Sequence, residues 1–344
     1  MRRGRRSGCF TIVAVHSTAR GPALGGCRLW HYADSRAAVR DALRLSRAMT
    51  FKSAVAGLPL GGGKGVIMAP APAAVDGPDG REWRTDALRD FGDTVESLGG
   101  DYVTAEDVGT ASRDMETIAL STSHVTGLSR RLGGSGDPSP WTALGVQAAI
   151  GVCCERIFGT PALAGRTIAI SGLGNVGGRV ATACAEAGAT LLVSDIDPRK
   201  RALADSLRAR WVEPGDALTA PADVFVPCAL GGLLDHESVL QLGAPIVAGA
   251  ANNQLAGDEI ASLLVQRGVL WAPDFVVNAG GIINISVELE PGGYDPRRAG
   301  ELVRGIGATL EQLFDDAQAR GVSPLDAAMV LARARLAEAA RATG

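Results

Sequence analysis

Residues 167–197 have the sequence TIAISGLGNVGGRVATACAEAGATLLVSDID, which predicts a strand, a glycine turn, a helix and a second strand in succession. Both predicted strands are almost continuously apolar, as strands of a parallel sheet are when helices cover both of its faces. Apolar runs separated by helical patterns follow, namely DVFVPCA, PIVAGA and VLWAPDFVV. The second half of the chain therefore predicts a Rossmann-type, doubly wound α/β domain.

The glycine turn has the GxGxxG spacing of a dinucleotide-binding turn. Its candidate cofactor-binding residues are Gly172, Gly174, Asn175, Val176 and Gly177. The first glycine permits a tight turn, and the second lets the backbone approach a pyrophosphate. The third lets the helix pack closely on the strand, with the helix N-terminus facing the anion.

An acidic residue ends the strand that follows the turn. Asp195 lies 18 residues after Gly177, where a carboxylate accepts hydrogen bonds from the adenosine ribose hydroxyls. A carboxylate there also repels a 2′-phosphate, so the sequence predicts NAD rather than NADP as the cofactor. Arg199 is near enough in sequence that it could weaken this preference.

The first half of the chain predicts a mixture of strands and helices. We expect a strand at 11–18, a glycine-rich turn at 21–26, a helix at 35–49, a glycine-rich loop at 58–65, an exposed loop at 70–80, a helix at 86–98, a strand at 101–109, a hinge at 132–141 and a helix at 142–158.

Length and pattern together predict two domains. Residues 1–137 with about 325–344 would form an α/β substrate-binding, catalytic and oligomerisation domain, and residues 138–324 the NAD-binding domain.

The composition is that of a globular protein. Of 344 residues, 46% are hydrophobic and 21% are charged, with a formal net charge of −3. This charge gives no electrostatic case for nucleic acid or an anionic membrane as a partner. No apolar run approaches the roughly 18 residues that span a bilayer. The six cysteines lack metal-ligand spacing, so we expect no metal site. We expect buried thiols in a reducing compartment, which predicts a cytoplasmic location.

Lysine is rare in this chain. Of the 34 basic residues only Lys52, Lys64 and Lys200 are lysines. A desolvated lysine, unlike an arginine, can give and take protons near neutral pH. The three glycines before Lys64 predict a buried ammonium with a lowered pKa, which suits a general base. Lys52 suits a charged anchor for a carboxylate, and Asp107 in TAEDVG is the third candidate.

Nine motifs occur in the order seen in leucine, valine and phenylalanine dehydrogenases. They are GPALGGCR, MTFKSA, LPLGGGKG, TAEDVGT, GSGDPSPWTALGV, SGLGNVG, PCALGG, AANNQLA and APDFVVNAGGIIN. Over about residues 11–343 the chain thus resembles the Glu/Leu/Phe/Val dehydrogenase superfamily. The resemblance implies reversible oxidative deamination, in which an L-amino acid, NAD and water give the 2-oxo acid, ammonium and NADH.

The resemblance also implies roles for individual residues. Lys52 would bind the substrate carboxylate, Lys64 would activate water for attack on the imino intermediate, and Asp107 would shuttle protons to and from the amino group. Further implied substrate-binding residues are Gly25, Gly26, Met49 and Asn278, the last at the amino or carbonyl end of the substrate. Thr142 and Asn253 would orient the nicotinamide.

Three apolar residues bear on the substrate side chain. Leu24 stands where the similar GPYKGG motif of glutamate dehydrogenases places a lysine on the side-chain carboxylate, and burying an unpaired carboxylate is costly, so glutamate is disfavoured. By similarity to NAGGVINV of leucine dehydrogenases, Ile282 and Ile285 would form the far wall of the pocket. Their extra methylenes favour valine, leucine or isoleucine over an aromatic substrate. The alternatives are a phenylalanine or tryptophan dehydrogenase, and an inactive NAD-binding paralogue.

The start of the chain departs from the family pattern. Family members usually begin some tens of residues earlier, with a helix and an additional strand, whereas this chain opens with MRRGRRSG at 1–8. We expect a solvated basic start, and either a truncated beginning or a first-domain edge that is built differently. In the family this region helps to assemble oligomers. We therefore expect a homo-oligomer whose number of subunits stays open.

Overall fold

The structure is a computed structural model that describes residues 1–70 and 77–343. The chain divides into two compact units. Unit 1 comprises residues 1–138, 284–296 and 332–344, and unit 2 comprises residues 139–283 and 297–331. The first division falls between Pro138 and Ser139, inside the stretch for which we predicted a hinge.

Unit 1 is built on a mixed sheet. Its elements within the first 138 residues are β1 Arg2–Arg3, β2 Phe10–Ser17, β3 Ala23–Trp30, α1 Ser35–Val55, β4 Gly61–Met68, α2 Gly77–Glu96, β5 Tyr102–Glu106, α3 Ser112–Ile118 and a 3₁₀ turn at Arg130–Leu132. The strand order is β1-β2-β4-β3-β5. β2 runs antiparallel to β1 and β4, whereas β3 is parallel to both β4 and β5.

Helices cover both faces of this sheet because its side chains alternate in direction. On one face, Phe91 of α2 and Met115 of α3 pack with Tyr102 of β5. On the other face, Ala42 of α1 packs with Val66 of β4. Residues on β3 and β4 that share the face of Val66 therefore lie under α1.

The glycine-rich turn and the glycine-rich loop predicted in this unit were wrong from Ala23 and from Gly61 onward, where the chain forms strands β3 and β4; residues 21–22 and 58–60 precede these strands. Glycine is unfavourable in strands on propensity alone, but here close packing requires it. A Cβ on Gly62 would lie 2.0 Å from the backbone nitrogen of Thr50 in α1, and one on Gly63 would lie 2.6 Å from the Tyr102 ring. Tertiary packing thus overrides the local preference for a turn.

Helix α1 begins as expected but does not end at 49. The Asp34 carboxylate caps it by accepting a hydrogen bond from the Ala37 amide at 2.7 Å. The helix continues to Val55 because Ala54 and Val55 are also buried. The chain then turns at Gly57, whose φ of +72° favours glycine. The longer helix places Lys52 in its last turn.

Helix α2 begins before the expected start at 86, at Gly77, and ends at Glu96. The exposed loop that we predicted for 70–80 falls mostly on residues 71–76, which lie outside the described residues. Residues 77–80 already belong to the helix, so that part of the loop prediction was wrong.

The basic start joins the edge of the sheet, while the side chains of its four arginines are exposed, as expected for a solvated segment. Arg2 and Arg3 pair with β2 at the edge of the sheet. The backbone amides of Arg6 and Ser7 donate hydrogen bonds to the carboxylate of Asp90 on α2, at 3.1 and 2.9 Å. Burial opposes ionisation of Asp90, but these hydrogen bonds outweigh it and lower its pKa.

Unit 2 is a parallel α/β layer structure, as predicted for the second half of the chain. Its elements, with those that continue into unit 1, are α4 Ser139–Phe158, β6 Thr167–Ser171, α5 Gly177–Glu186, β7 Thr190–Ser194, α6 Arg201–Ser206, β8 Arg210–Trp211, α7 Asp216–Thr219, β9 Val224–Pro227, α8 His236–Gln241, β10 Ile246–Val247, α9 Glu259–Gln266, β11 Leu270–Trp271, α10 Asp274–Val277, α11 Gly280–Ser286, α12 Pro296–Arg304, α13 Ile306–Arg320 and α14 Pro324–Thr343, with 3₁₀ turns at Pro198–Lys200 and Val287–Leu289. The strand order β11-β10-β9-β6-β7-β8 places β6 at the centre, and every adjacent pair is parallel. The fold class is confirmed.

None of the helices within residues 1–70 and 77–343 has the length and apolarity needed to cross a membrane.

Candidate active site

Lys64 and Asp107 form an ion pair in unit 1. Lys64 lies on β4 and is only 4% exposed. Its Nζ is 2.7 Å from Oδ2 of Asp107, the residue that immediately follows β5. Two residues that lie 43 positions apart in the sequence are therefore brought into direct contact.

Gly26 makes this contact possible. β3 lies between β4 and β5, and Gly26 of β3 is paired with Ala105 of β5. Cys27 of β3 is paired with Gly65 of β4. Gly26 and Lys64 each precede one member of this pair, so Gly26 lies beside Lys64. A Cβ on Gly26 would lie 2.7 Å from the Cβ of Asp107. The missing side chain leaves room for the lysine to reach across β3.

Burial and charge act in opposite directions on this pair. Burial lowers the pKa of Lys64, while the neighbouring carboxylate of Asp107 raises it, and the net direction is downward. Burial raises the pKa of Asp107, but the positive charges of Lys64 and Arg28 outweigh burial, and the net direction is again downward. The glycine setting correctly indicated a buried lysine with a lowered pKa.

Arg28 is a member of this cluster that the sequence did not single out. Its Nε donates to Oδ2 of Asp107 at 2.9 Å, the same oxygen that contacts Lys64. Arg28 follows Gly26 by two residues on β3, so both point to one face. That alternation was the available signal, and interpreting the segment as a turn concealed it.

The proposed substrate-binding residues of the first half lie on the elements around this pair. Leu24, two residues before Gly26, is fully buried on the same face of β3. Gly25 packs against the backbone of β4, since a Cβ there would lie 1.8 Å from the carbonyl oxygen of Gly63. Met49 and Lys52, both half-buried, lie one helical turn apart on α1.

In unit 2 the glycine turn has the geometry expected of a phosphate cradle. Gly172 has a φ of +96°, which favours glycine. A Cβ on Gly177 would lie 1.9 Å from the carbonyl oxygen of Gly172, so the start of α5 packs tightly on the turn. A Cβ on Gly174 would meet no atom within 4 Å, and Gly174 and Asn175 are exposed. The turn thus presents open backbone at the N-terminus of α5, which fits a dinucleotide pyrophosphate.

Asp195 is fixed at the carboxyl end of β7 by this turn. Its Oδ2 accepts a hydrogen bond from the Leu173 amide at 2.6 Å, and its Oδ1 accepts one from the Asp197 amide at 2.8 Å. Arg199, which could have weakened a preference for NAD, donates instead to Asp197 through Nε and Nη2, both at 2.9 Å. The Asp195 carboxylate therefore contacts the glycine turn directly, whereas Arg199 is bound by Asp197.

Asn278 contacts the segment that follows β10 and contains a further candidate, Asn253. The side-chain amide of Asn278 donates to Oδ1 of Asn252 at 2.8 Å and to the carbonyl oxygen of Ala250 at 3.1 Å. Asn253 follows directly and has a φ of +51°, a left-handed conformation that asparagine tolerates. The structure therefore brings Asn278 close to the segment that contains Asn253.

The remaining candidates lie on helices. Thr142 is in the first turn of α4, where a Cβ on Gly280 would lie 3.0 Å from its Cα. Ile282, which is 5% exposed, and the half-buried Ile285 both lie on α11. Within residues 1–70 and 77–343, His, Cys, Asp and Glu side chains form no group of three that could hold a metal ion.

These features define the available chemistry. A buried amine in contact with a carboxylate can exchange protons with a bound molecule. A glycine turn at a helix N-terminus, with a carboxylate at the end of the next strand, can hold a dinucleotide. Together they suit a reaction that couples proton transfer with hydride transfer.

Comparison with known proteins agrees with this chemistry. Residues 1–124 match the family model of the Glu/Leu/Phe/Val dehydrogenase dimerisation domain, and residues 193–344 match that of Glutamate/Leucine/Phenylalanine/Valine dehydrogenase. The leucine dehydrogenase of Bacillus subtilis (strain 168) is 42% identical over 96% of this chain and 88% of that protein. An L-tryptophan dehydrogenase of Nostoc punctiforme (strain ATCC 29133 / PCC 73102) is 42% identical over 98% of this chain and 92% of that protein.

A solved structure gives the same result. The crystal structure of L-tryptophan dehydrogenase from Nostoc punctiforme has a TM-score of 0.83 and 38% identity, and the match covers 97% of this chain and 94% of that one. The two family models and these relatives confirm the resemblance drawn from the nine motifs. The chain belongs to the Glu/Leu/Phe/Val dehydrogenase family, the NAD(P)-dependent oxidoreductases that act on amino acids.

Proposed function

We propose that this chain catalyses the reversible oxidative deamination of an apolar L-amino acid, in which the amino acid, NAD and water give the 2-oxo acid, ammonium, NADH and a proton. The observation that carries this proposal is the buried Lys64 ammonium, 2.7 Å from the Asp107 carboxylate. Conversion of an amine into a ketone needs a base for water and a second group for the protons of the amine. An inactive paralogue would have no use for a lysine kept in so costly an environment.

Each residue of the site has a proposed role. When bound, NAD supplies the acceptor for the hydride that leaves the α-carbon. Lys52 holds the substrate carboxylate, and Asp107 takes up and returns protons at the amino group. Neutral Lys64 removes a proton from the water that attacks the imino carbon. Because Lys64 must be neutral for this step, its lowered pKa allows the reaction at a lower pH than an ordinary lysine would.

The domain roles follow from these assignments. We propose that unit 1 binds the substrate and carries the proton-transfer pair, and that unit 2 binds NAD through Gly172, Gly174, Gly177 and the residues between them, with Thr142 and Asn253 at the nicotinamide. The match of residues 1–124 to a dimerisation domain supports a homo-oligomer. The cytoplasmic location stays a prediction.

We propose a branched aliphatic substrate. Leu24 is apolar and fully buried, so it offers no partner to a side-chain carboxylate. Ile282 and Ile285 are proposed to form the far wall of the pocket and to reduce the room for the substrate side chain. The second candidate is an aromatic amino acid, because the tryptophan dehydrogenase of Nostoc punctiforme is as similar in sequence as the leucine dehydrogenase of Bacillus subtilis. A methylene in a pocket is worth only about 1–3 kcal/mol of discrimination.

The test is an assay of the purified protein with NAD and a panel of L-amino acids, followed by NADH absorbance at alkaline pH. We expect kcat/KM for valine, leucine or isoleucine to exceed that for phenylalanine and tryptophan, with glutamate lowest. Higher kcat/KM for an aromatic substrate would overturn the pocket argument. Absence of turnover with every amino acid would overturn the proposed function.

The cofactor preference gives a separate prediction. Asp195→Asn keeps a hydrogen-bond acceptor for the Leu173 amide but removes the negative charge that would repel a 2′-phosphate. We expect the ratio of kcat/KM for NAD to that for NADP to fall about tenfold, which corresponds to about 1.4 kcal/mol. Asp205→Asn, which removes an exposed carboxylate on α6 and leaves Asp197 bound to Arg199, is the matched control for a lost charge, and it should change the ratio less. An unchanged ratio in Asp195→Asn would remove Asp195 from the cofactor site.

A further inference from the structure

Arg28 links the proton-transfer pair to a second carboxylate. Its Nε donates to Oδ2 of Asp107 and its Nη1 donates to Oδ2 of Asp41, both at 2.9 Å. The Arg28 side chain is 21% exposed, so both contacts are partly shielded from water. The planar guanidinium fixes the direction of its donors, which a lysine at this position would not do.

Asp41 is itself held by two further hydrogen bonds, so it is a fixed partner for Arg28. The hydroxyl of Tyr32 donates to Oδ2 of Asp41 at 2.7 Å, and Nη2 of Arg44 donates to Oδ1 at 2.8 Å. α1 contributes Asp41 and Arg44, and β3 contributes Arg28. The guanidinium is therefore fixed at both ends.

A single oxygen of Asp107 receives both cations. Lys64 Nζ and Arg28 Nε lie 2.7 and 2.9 Å from Oδ2. These two contacts set the rotation of the carboxylate and bring two positive charges close together. Asp107 after β5 and Arg28 on β3 lie on the same face of the sheet as Lys64, and α1, which packs on this face, carries Lys52 in its last turn. The Cys27 thiol lies on the other face of β3, buried with Tyr102.

We propose that Arg28 is a positioning residue of this site: held by Asp41, it fixes the Asp107 carboxylate against Lys64 and sets the pH range in which the pair transfers protons. This rests on the proposed function, in which Lys64 acts as a base. The positive charge of Arg28 disfavours a proton on Lys64 and so lowers the pKa of the lysine, opposing Asp107. Without Arg28 the amine would hold its proton to higher pH.

The first test is the pH dependence of kcat/KM for oxidative deamination. Activity rises with pH as Lys64 becomes neutral, so removal of the Arg28 charge should move this rise upward. We expect Arg28→Gln to move it by about one pH unit and to lower kcat. Arg28→Lys keeps the charge, so the rise should move less, although kcat should still fall because a lysine cannot bond both carboxylates in the same way.

Arg40→Gln is the matched control, because Arg40 is an exposed arginine next to Asp41 on α1 and is not a member of the group formed by Asp41, Arg28 and Asp107. It should leave the pH profile within the error of the wild type. A profile that is unmoved in a folded Arg28→Gln variant would overturn the proposal. So would an equal shift in Arg40→Gln.

A second readout does not depend on turnover. Protein labelled with [¹³Cε]lysine has only three lysines, so Lys64 can be followed by NMR and assigned with a Lys64→Met variant. The midpoint of the Lys64 titration should rise in Arg28→Gln and move less in Arg28→Lys. If no amino acid is turned over, the proposed function fails, while this titration still decides the effect of Arg28. If Arg28→Gln does not fold, Arg28→Met is used, and an unchanged midpoint in it overturns the proposal.

Discussion

Replacement of Lys64 by alanine is expected to lower kcat for amino-acid oxidation by about a thousandfold, within the range that a positioned general base contributes. The amine that removes the proton from water is lost, and Asp107 loses the ammonium that contacts its Oδ2 at 2.7 Å. NADH binding, measured by fluorescence, should stay near the wild-type value because the glycine turn belongs to unit 2.

Two further variants separate chemistry from packing. Lys64→Met fills most of the buried space that alanine would leave empty, and it should be equally inactive. Lys200→Ala removes a lysine from the 3₁₀ turn at Pro198–Lys200 in unit 2 and should keep its activity. Substantial turnover by Lys64→Met would show that Lys64 is not the base. Loss of both NADH binding and folding in the two Lys64 variants would make Lys64 a structural residue.

Replacement of Gly62 by alanine is expected to lower the free energy of unfolding by about 3 kcal/mol. The new Cβ would lie 2.0 Å from the backbone nitrogen of Thr50 and 2.4 Å from its Cα, so α1 must move away from β4. Backbone atoms cannot give way as a flexible side chain can. Urea unfolding followed by circular dichroism measures the change.

Gly215→Ala is the matched control for this change. A Cβ on Gly215 meets no atom within 4 Å, and its φ is −72°, which any residue adopts. Its free energy of unfolding should stay within about 1 kcal/mol of the wild type, or rise through a reduced entropy of the unfolded chain. Equal stabilities of the two variants would contradict the close packing of α1 on β4.

The sequence predicted unit 2 better than unit 1 for a physical reason. Strands of a parallel sheet are apolar on both faces, and the glycine turn at Gly172 marks where β6 ends, so pattern alone locates them. In β3 and β4, glycines instead occupy positions where alternating apolar and polar side chains would normally predict a strand. Those glycines are required by contacts with Thr50 and Tyr102, which become neighbours only in the folded chain.

In the candidate site, the sequence singled out Lys64 but not Arg28. Lys64 was conspicuous because lysine is rare in this chain, and the structure brings it to Asp107. Arg28 was hidden among 31 arginines, the 34 basic residues less the three lysines. Its contact with Asp107 depends on the position of β3 beside β5, and the turn predicted at 21–26 concealed the alternation along β3 that would have placed Arg28 on this face.

The proton affinity of Lys64 in the wild-type protein tests the central claim most directly. Titration of [¹³Cε]lysine-labelled protein by NMR follows the Lys64 signal, assigned with the Lys64→Met variant. Burial is expected to place the pKa of Lys64 below the ordinary lysine value. A Lys64 that titrates at or above the ordinary value would contradict its role as the base.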